Sequence, residues 1–390
     1  MSILLFLKFF YFIIGLVNLM KKNLSEFFRK IDKSLLLFLI IFMVISVVTI
    51  YCSEKLLVDI NYYYIKQLIW YFIGIIFIFL IMKYKNENIY KHAYTFYIVC
   101  NVLLFLLLIF GTPINDAKCW FVIKGIGTLQ PSEFMKIALI ILLSKECSEF
   151  RKRYHNPTIK REFKFLLKII LILLPPSILT FLEPDTGVVL IYFLITIFIL
   201  FVSGIRYRWF FIVITIGIIL LSFILGTYFL NQHLFINIFG NSFFLRINRL
   251  LDWSNKSGYQ LENSLTSIGS AGLFGHGFNI KLYIPEPQND FIFAVYASVF
   301  GLIGSIILII IIALFDLKLI DIGKNTKKNI DRYVISGIIG MLIYQQFQNI
   351  GMTIGLMPIT GITLPFISYG GSSLLSYMIM LGLVFNISNH

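Results

Sequence analysis

Ten long apolar runs, over residues 35–52, 68–83, 93–110, 133–146, 166–182, 187–203, 207–230, 291–315, 334–356 and 372–388, decide what this chain can fold into. They show neither the two-residue alternation of a half-buried strand nor a polar face at helical spacing. Unbroken apolar runs of this kind are the mark of membrane-spanning helices. Some are shorter than the roughly 20 residues that a perpendicular helix needs, so flanking residues must join them. Composition agrees. Apolar residues make up 58% of the chain and Asp, Glu, Lys and Arg only 13%, against about 25% charged residues in a soluble domain. No stretch between the runs looks able to build a core of its own. The expected fold is all-α: a polytopic membrane bundle of about ten transmembrane helices over 35–390, with a large extracytoplasmic loop, 231–290, between the seventh and eighth.

Lys and Arg in the connecting segments set the orientation. Segments 21–34, 83–92, 145–168, 204–208 and 316–333 hold 23 of them, and the alternate segments only 8. The first set is cytoplasmic, which puts both ends of the ten-helix domain inside. The net charge of +14 follows from that topology and from anionic lipid. The basic loops carry no nucleic-acid-binding motif.

Residues 1–34 form a separate N-terminal segment. The stretch 3–19 is an extra apolar run broken by Lys8; it resembles a signal peptide without a good cleavage site. A spanning helix is one reading of it. A simpler one makes Met20, followed by Lys21 and Lys22, the true start. The four cysteines show no CxxC pattern. Cys52 and Cys119 fall on the outer side, so one disulfide is conceivable, but unpaired thiols are expected. The histidines show no metal-ligand spacing.

Polar residues gather on the outer side. The loop 231–290 far exceeds the length at which structureless loops become uncommon; short re-entrant or interfacial helices fit it better than disorder. It ends in Pro285-Glu286-Pro287-Gln288-Asn289-Asp290, directly before the eighth span. Asp290 reads as a helix N-cap or as a carboxylate turned into the bundle. The stripe Ala294, Ala297, Gly301, Gly304, which permits close packing on that side, favours the second. Glu133 and Lys136 share one face of the fourth span, as an intrahelical ion pair or as cavity groups. Glu183-Pro184-Asp185 forms a tight turn between the fifth and sixth spans. Arg246 and Arg249, with Asp252 nearby, are surface charges or bidentate phosphate ligands. Gln345, Gln348 and Asn349 share one face of the ninth span, where interhelical hydrogen bonding is the default. The uncharged segment after it ends in Ser368-Tyr369-Gly370-Gly371-Ser372-Ser373, whose NH groups and hydroxyls suit an anion.

The order of several short stretches along the chain resembles the SEDS family, the RodA and FtsW proteins of bacterial cell-wall synthesis. The matching stretches are Gln130 to Lys136, Pro184-Asp185 with Gly187, Gly258-Tyr259-Gln260, Ile268-Gly269-Ser270 with Gly272 to Gly275, Pro285-Glu286 through Asp290-Phe291-Ile292-Phe293, and Leu364 to Ser373. No single block is specific; their joint order on the expected outer side is. Asn349 to Met352 and Pro358 to Gly361 look more like RodA, the elongation member, than FtsW, the division member. Three departures stand out. Cys119 stands where the family usually has Arg, Ser298-Val299 where an acidic pair is usual, and Glu183 where Gln is common.

The resemblance implies a polymerase that joins lipid II, an undecaprenyl diphosphate-linked disaccharide peptide, into glycan strands during cell elongation. Its implied partners are a class B penicillin-binding protein and other membrane proteins of the elongation complex. Asp290 would be the general base. Glu133, Lys136, Asp185, Gln260, Glu286, Ser368, Tyr369, Ser372 and Ser373 would line the cavity or bind substrate, and Arg246, Arg249 and Lys136 would contact the diphosphate. A divalent cation, Mg or Mn, is a candidate cofactor. One carboxylate suffices for such chemistry, because a glycosyl diphosphate already carries a stable leaving group and needs less acid help than the bond that glycosidases cleave with two. What remains is to deprotonate the acceptor hydroxyl and neutralise the departing charge. A lipid II flippase and a non-catalytic scaffold of the elongation or division complex are the rival readings. The chain shows no convincing repeat between its halves, and its polar residues crowd the outer ends rather than the midplane, which favours the enzyme.

Overall fold

The computed structural model describes residues 31–57, 61–114, 117–123, 127–241, 243–244, 258–278, 283–284 and 286–389. Each of the ten apolar runs lies on a helix. These are α1 (Lys33–Glu54), α2 (Tyr63–Tyr84), α4 (Ala93–Phe110), α5 (Pro131–Arg153), α6 (Ile159–Leu182), α7 (Thr186–Val202), α8 (Tyr207–Leu230), α11 (Ile292–Asn325), α12 (Asn329–Thr353) and α13 (Gly371–Ser388). Short helices α3 (Asn86–Lys91), α9 (Gln232–Phe239) and α10 (Tyr259–Ser270) connect them. The last two fall in the long loop 231–290, where short helices are expected. Among the described residues, seven helices are long and apolar enough to cross a membrane on those grounds alone. The protein is a polytopic helical membrane protein.

α5, α7 and α12 fall outside those seven: α7 is apolar but only 17 residues long, and burial explains the other two. Both α5 and α12 are enclosed by other helices over most of their length, so they face protein rather than lipid and tolerate polar residues. α5 packs against α4, α7, α12 and α13, and α12 against α7 and α11. Small residues bring the axes close. A Cβ on Gly340 of α12 would lie 2.6 Å from Phe198 Cγ of α7. By contrast, α8 buries only Tyr228 and packs chiefly on α9.

Backbone polarity is satisfied where helices are interrupted, as a low-dielectric setting requires. Pro176 lies inside α6 and cannot donate to the carbonyl of Ile172; the Tyr97 hydroxyl does so at 2.7 Å. α11 is broken at Gly301, which has φ 66° and ψ −164°. The carbonyls before the break accept from the loop after α10: His276 N–H bonds Ser298 O at 2.9 Å and Gly277 N–H bonds Val299 O at 3.0 Å. Beyond it, Leu302 N–H bonds Gly272 O at 3.0 Å and Ile303 N–H bonds Leu273 O at 3.1 Å. The four small residues expected to form one stripe therefore belong to two differently directed helical pieces.

One small element of another kind accompanies the helices. Thr112–Ile114 (β1), Ala117–Ile123 (β2) and Gly127–Leu129 (β3) form a small antiparallel sheet, with Thr112 opposite Trp120 and Phe121 opposite Leu129. It caps the segment between α4 and α5. Cys52, Cys100, Cys119 and Cys147 are all free and buried, so Cys52 and Cys119 form no disulfide.

Candidate active site at the helix mouths

Four segments meet at the N-terminal ends of α5, α7, α11 and α13. Pro131 opens α5 at a position where its missing N–H costs nothing, which places Glu133 and Lys136 one turn in. Glu133 Oε2 lies 2.7 Å from Lys136 Nζ and accepts from Ser376 Oγ of α13 at 3.3 Å. Lys136 is fully buried, 5.5 Å from the Tyr377 ring centre, and Nζ finds no acceptor besides that carboxylate. The expected intrahelical pair is thus present, and it is linked to a second helix.

Removing one partner of such a pair leaves an uncompensated buried charge. Lys136→Met is expected to cost about 3–5 kcal/mol, read as a lower melting temperature in detergent. The double change Glu133→Gln with Lys136→Met should recover most of that loss, and a double-mutant cycle measures the coupling.

Asp185 caps α7, its Oδ1 accepting from Val188 N–H at 3.1 Å. Its Oδ2 accepts from Gln130 Nε2 at 3.1 Å, which ties the turn to the start of α5. Burial pushes its carboxyl up to about 6; the Glu133 charge adds to the rise, while the Val188 N–H, Lys136 and Gln130 oppose it. The Asp185 carboxylate therefore caps a helix and joins the cluster at once. Beside it, Glu183 is completely buried.

Asp290 does not cap α11. The N-cap position is Phe291, without a side-chain capping bond. Instead the Asp290 backbone is held from two sides. Asn349 Nδ2 of α12 donates to Asp290 O at 2.8 Å and to Ile362 O at 2.7 Å. Ser368 Oγ donates to Asn289 O at 2.7 Å, and Tyr369 N–H donates to Gln288 O at 2.9 Å. The carboxylate lies against Gly361, where an added Cβ would be 3.5 Å from Oδ2. The other side of the same loop meets Gly187 of α7 through Thr360 O and Ile362. Half-buried Asp290 has its carboxyl pushed up to about 7 by burial, and further by the charges of Glu286 and Asp185.

The loop between α12 and α13 is irregular backbone fastened to the bundle. Ser46 Oγ donates to Ile367 O at 2.8 Å, Gln67 Nε2 to Ser368 O at 3.1 Å and Tyr71 OH to Phe366 O at 2.6 Å. These bonds hold Phe366 at φ 64°, a conformation uncommon for a bulky residue. Ser372 Oγ accepts from Gln130 N–H and donates to Thr128 O, each at 3.0 Å, and Ser373 Oγ donates to Gly370 O at 3.2 Å. Of the serine hydroxyls in this stretch, Ser372 ties the loop to the segment before α5, Ser368 holds Asn289 next to Asp290, and Ser373 stays within its own turn. Tyr369 packs against Tyr63 with the rings tilted by 58° and their centres 4.7 Å apart.

The remaining expected site residues divide. Glu286 is exposed at the mouth, its Oε2 accepting from Gln288 and Asn289 at 3.3 Å each, and its charge reaches Asp290. Gln260 is exposed on α10, and no hydrogen bond described for it ties it to the cluster, so the structure does not bring it in. Arg246, Arg249 and Asp252 lie outside the described residues. Asn349 was expected only to bond between helices; it does so directly behind Asp290. Gln348 Nε2 holds Pro358 O at 2.7 Å and Gln345 Nε2 holds Tyr377 OH at 2.9 Å. Two of the departures from the family pattern touch: the Cys119 thiol donates to Glu183 O at 2.9 Å. The third, Ser298-Val299, supplies the carbonyls at the α11 break.

A family model described as "Cell cycle protein", covering FtsW, RodA and SpoVE, matches residues 29–390. The chain is 32% identical to the stage V sporulation protein E of Bacillus subtilis (strain 168) over 95% of this chain and 98% of that protein. It is 33% identical to a probable peptidoglycan glycosyltransferase FtsW of Lactococcus lactis subsp. lactis (strain IL1403), over 71% and 70% of the two chains. Among solved structures, a chain of a peptidoglycan synthase complex described as coordinating polymerization and crosslinking superposes with TM-score 0.76 at 25% identity, covering 92% of this chain and 97% of that one. Thermus thermophilus RodA superposes with TM-score 0.65 at 26% identity, covering 92% and 96%. A match running through nearly all of the helical domain, including every segment that meets at Asp290, makes this chain a member of the FtsW/RodA/SpoVE family of cell cycle proteins.

Proposed function

We propose that this protein is a peptidoglycan glycosyltransferase that polymerises lipid II into glycan strands at the outer face of the bacterial cytoplasmic membrane, with Asp290 as general base. The observation that carries the assignment of the base is Asp290 itself: its backbone is pinned by Asn349 and the Ser368 loop, while its carboxylate makes no capping bond and stands raised toward neutrality. A base poised near the working pH takes a proton most effectively. The acceptor sugar hydroxyl gives its proton to Asp290 as its oxygen attacks the anomeric carbon, and the bond to the diphosphate breaks.

The topology fits a lipid substrate. Ten spans, with the Lys- and Arg-rich loops in the cytoplasm, put the Asp290 cluster at the outer leaflet. The undecaprenyl tail then stays in the bilayer while the head group reaches the cluster; extracting it would cost about 0.8 kcal/mol per CH₂. The class B penicillin-binding protein is the partner that the synthase-complex neighbour supports. The elongation role rests on Asn349 to Met352 and Pro358 to Gly361, and the curated relatives named above carry division and sporulation names. A fluorescent fusion along the sidewall supports elongation; one confined to the septum overturns it.

Purified protein with its partner, given lipid II on the outer side only, is expected to form polymer. That result rejects both rivals, the scaffold and the flippase that the broken α11 would otherwise favour. Failure to form polymer rejects the enzyme. Among the described residues no three acidic, His or Cys side chains converge as a metal cage, so an all-protein metal site does not fit. An Mg or Mn ion would have to arrive on the diphosphate, keeping waters and one or two carboxylates as its other ligands. Chelation is then expected to remove activity and metal add-back to restore it, with no change in melting temperature.

A further inference from the structure

Glu183 is the residue of the cluster that nothing above uses. It follows the last residue of α6, where the helix macrodipole is unfavourable to an anion. It is 0% exposed, and neither carboxyl oxygen has a hydrogen-bond partner. A buried carboxylate without a cation or a donor is one of the costliest groups a fold can hold. The titratable groups facing it offer no relief. Cys119 of β2 gives its thiol to the Glu183 backbone carbonyl, not to the carboxyl. Asp185 in the same turn repels it. Glu183, Asp185 and Glu133 all bear on Tyr192 of α7, whose hydroxyl goes to Ser132 O at 3.1 Å. The nearby cation, Lys136 of α5, is taken by Glu133 at 2.7 Å.

Other donors around this turn are also committed. The Gln130 amide serves Asp185, and the Asn349 amide serves two backbone carbonyls. A protonated Glu183 would therefore be an uncommitted donor; the hydroxyls of Ser132, on the first turn of α5, and Thr360, in the loop against Gly187, likewise lack partners. Resting on the glycosyltransferase reading, we propose that Glu183 is held as a neutral carboxylic acid and donates a hydrogen bond to a phosphate oxygen of the lipid-linked substrate. No bond breaks in this role; the proton stays on Glu183 and the contact binds the diphosphate. Burial pushes this carboxyl up to about 8, with Asp185 adding to the rise. Asp185 and Asp290 ionise lower, near 6 and 7, and burial holds the Cys119 thiol far above. Asp290 is already half ionised near neutrality, so among these groups Glu183 undergoes the larger change of charge between neutrality and mild alkali.

The test measures lipid II binding to the full-length protein in nanodiscs, with polymer formation followed separately. For the wild type, Kd should rise about tenfold between about pH 7 and about pH 9, as the donor becomes a repelling anion. In Glu183→Gln, whose amide stays neutral, that rise should shrink to the small part that Asp290 contributes as it finishes ionising; in Glu183→Ala, Kd should be raised about tenfold at both pH values. The infrared difference between the substrate-free wild type and Glu183→Gln should show a protonated carboxyl band at neutral pH, lost in alkali. The same alkaline rise in Glu183→Gln as in the wild type, or no such band, overturns the role of Glu183 and leaves the enzyme reading standing. Wild type that binds lipid II with this pH dependence but forms no polymer overturns the enzyme reading and leaves the donor intact.

Discussion

Asp290→Asn abolishes strand synthesis on purified lipid II while the protein stays folded. The expected fall in kcat is about 10²–10⁴-fold, the range a positioned general base supplies. The amide preserves shape and keeps the bonds that hold the segment, because Asn349 and Ser368 bind backbone carbonyls of Asp290 and Asn289 rather than the carboxylate. Stability should not fall. A carboxyl raised from 3.8 to about 7 in the folded protein costs stability progressively as pH rises between those values, because the folded state resists losing the proton. Asparagine removes that cost, so the variant should melt at or above the wild-type temperature at neutral pH. The wild-type rate should rise with pH through about 7 on its acid limb, since the base works only when ionised. Full activity in Asp290→Asn, or a rate that does not fall toward acid, would remove Asp290 from the chemistry.

Much of this arrangement was legible in the sequence, because the bilayer permits few solutions. Long apolar runs must become helices, so all ten runs lie on helices. Polar residues at the ends of such runs must meet in space if the helices bundle, and Glu133, Asp185 and Asp290 do. Three features were hidden for separable reasons. β1, β2 and β3 are short strands whose pairing depends on the turns between them, and the residues that form them carry no clean alternation. Glu183 looked like part of an ordinary Glu-Pro-Asp turn. Only packing shows that its carboxyl faces inward without a partner, and only packing sets it against Cys119. The serine-rich loop was read for its free hydroxyls, but hydrogen-bonding capacity in a buried loop goes first to the loop's own backbone neighbours, and one of those bonds holds Asn289 next to Asp290.

Gly301 illustrates the same point with the largest structural consequence. Its spacing from Ala294, Ala297 and Gly304 suited a smooth helix stripe, yet its backbone, at φ 66° and ψ −164°, occupies a region open almost solely to glycine. The break depends on a close approach of two backbones. A Cβ on Gly301 would lie 2.4 Å from Gly275 N and 2.5 Å from Leu273 O; one on Gly275 would lie 2.1 Å from Val299 O. Neither side can yield as the tip of a side chain would, because both are main chain already committed to the four bonds across the break. Gly301→Ala must therefore bear the conformational penalty, about 1–3 kcal/mol, and also part those strands, leaving carbonyls and N–H groups unpaired at about 1–3 kcal/mol each. The expected outcome is a protein that melts well below the wild type in detergent or fails to accumulate in the membrane. Any surviving fraction should polymerise poorly, since the piece Ile292–Phe300 that carries Asp290 at its head is aimed by this break. Gly269→Ala in α10 is the matched comparison: nothing lies within 4 Å of its added Cβ, and alanine is the better helix former by about 1 kcal/mol. It should melt at or slightly above the wild type and polymerise normally. Equal melting of the two variants would mean that the break is not held by the Gly275–Gly301 contact.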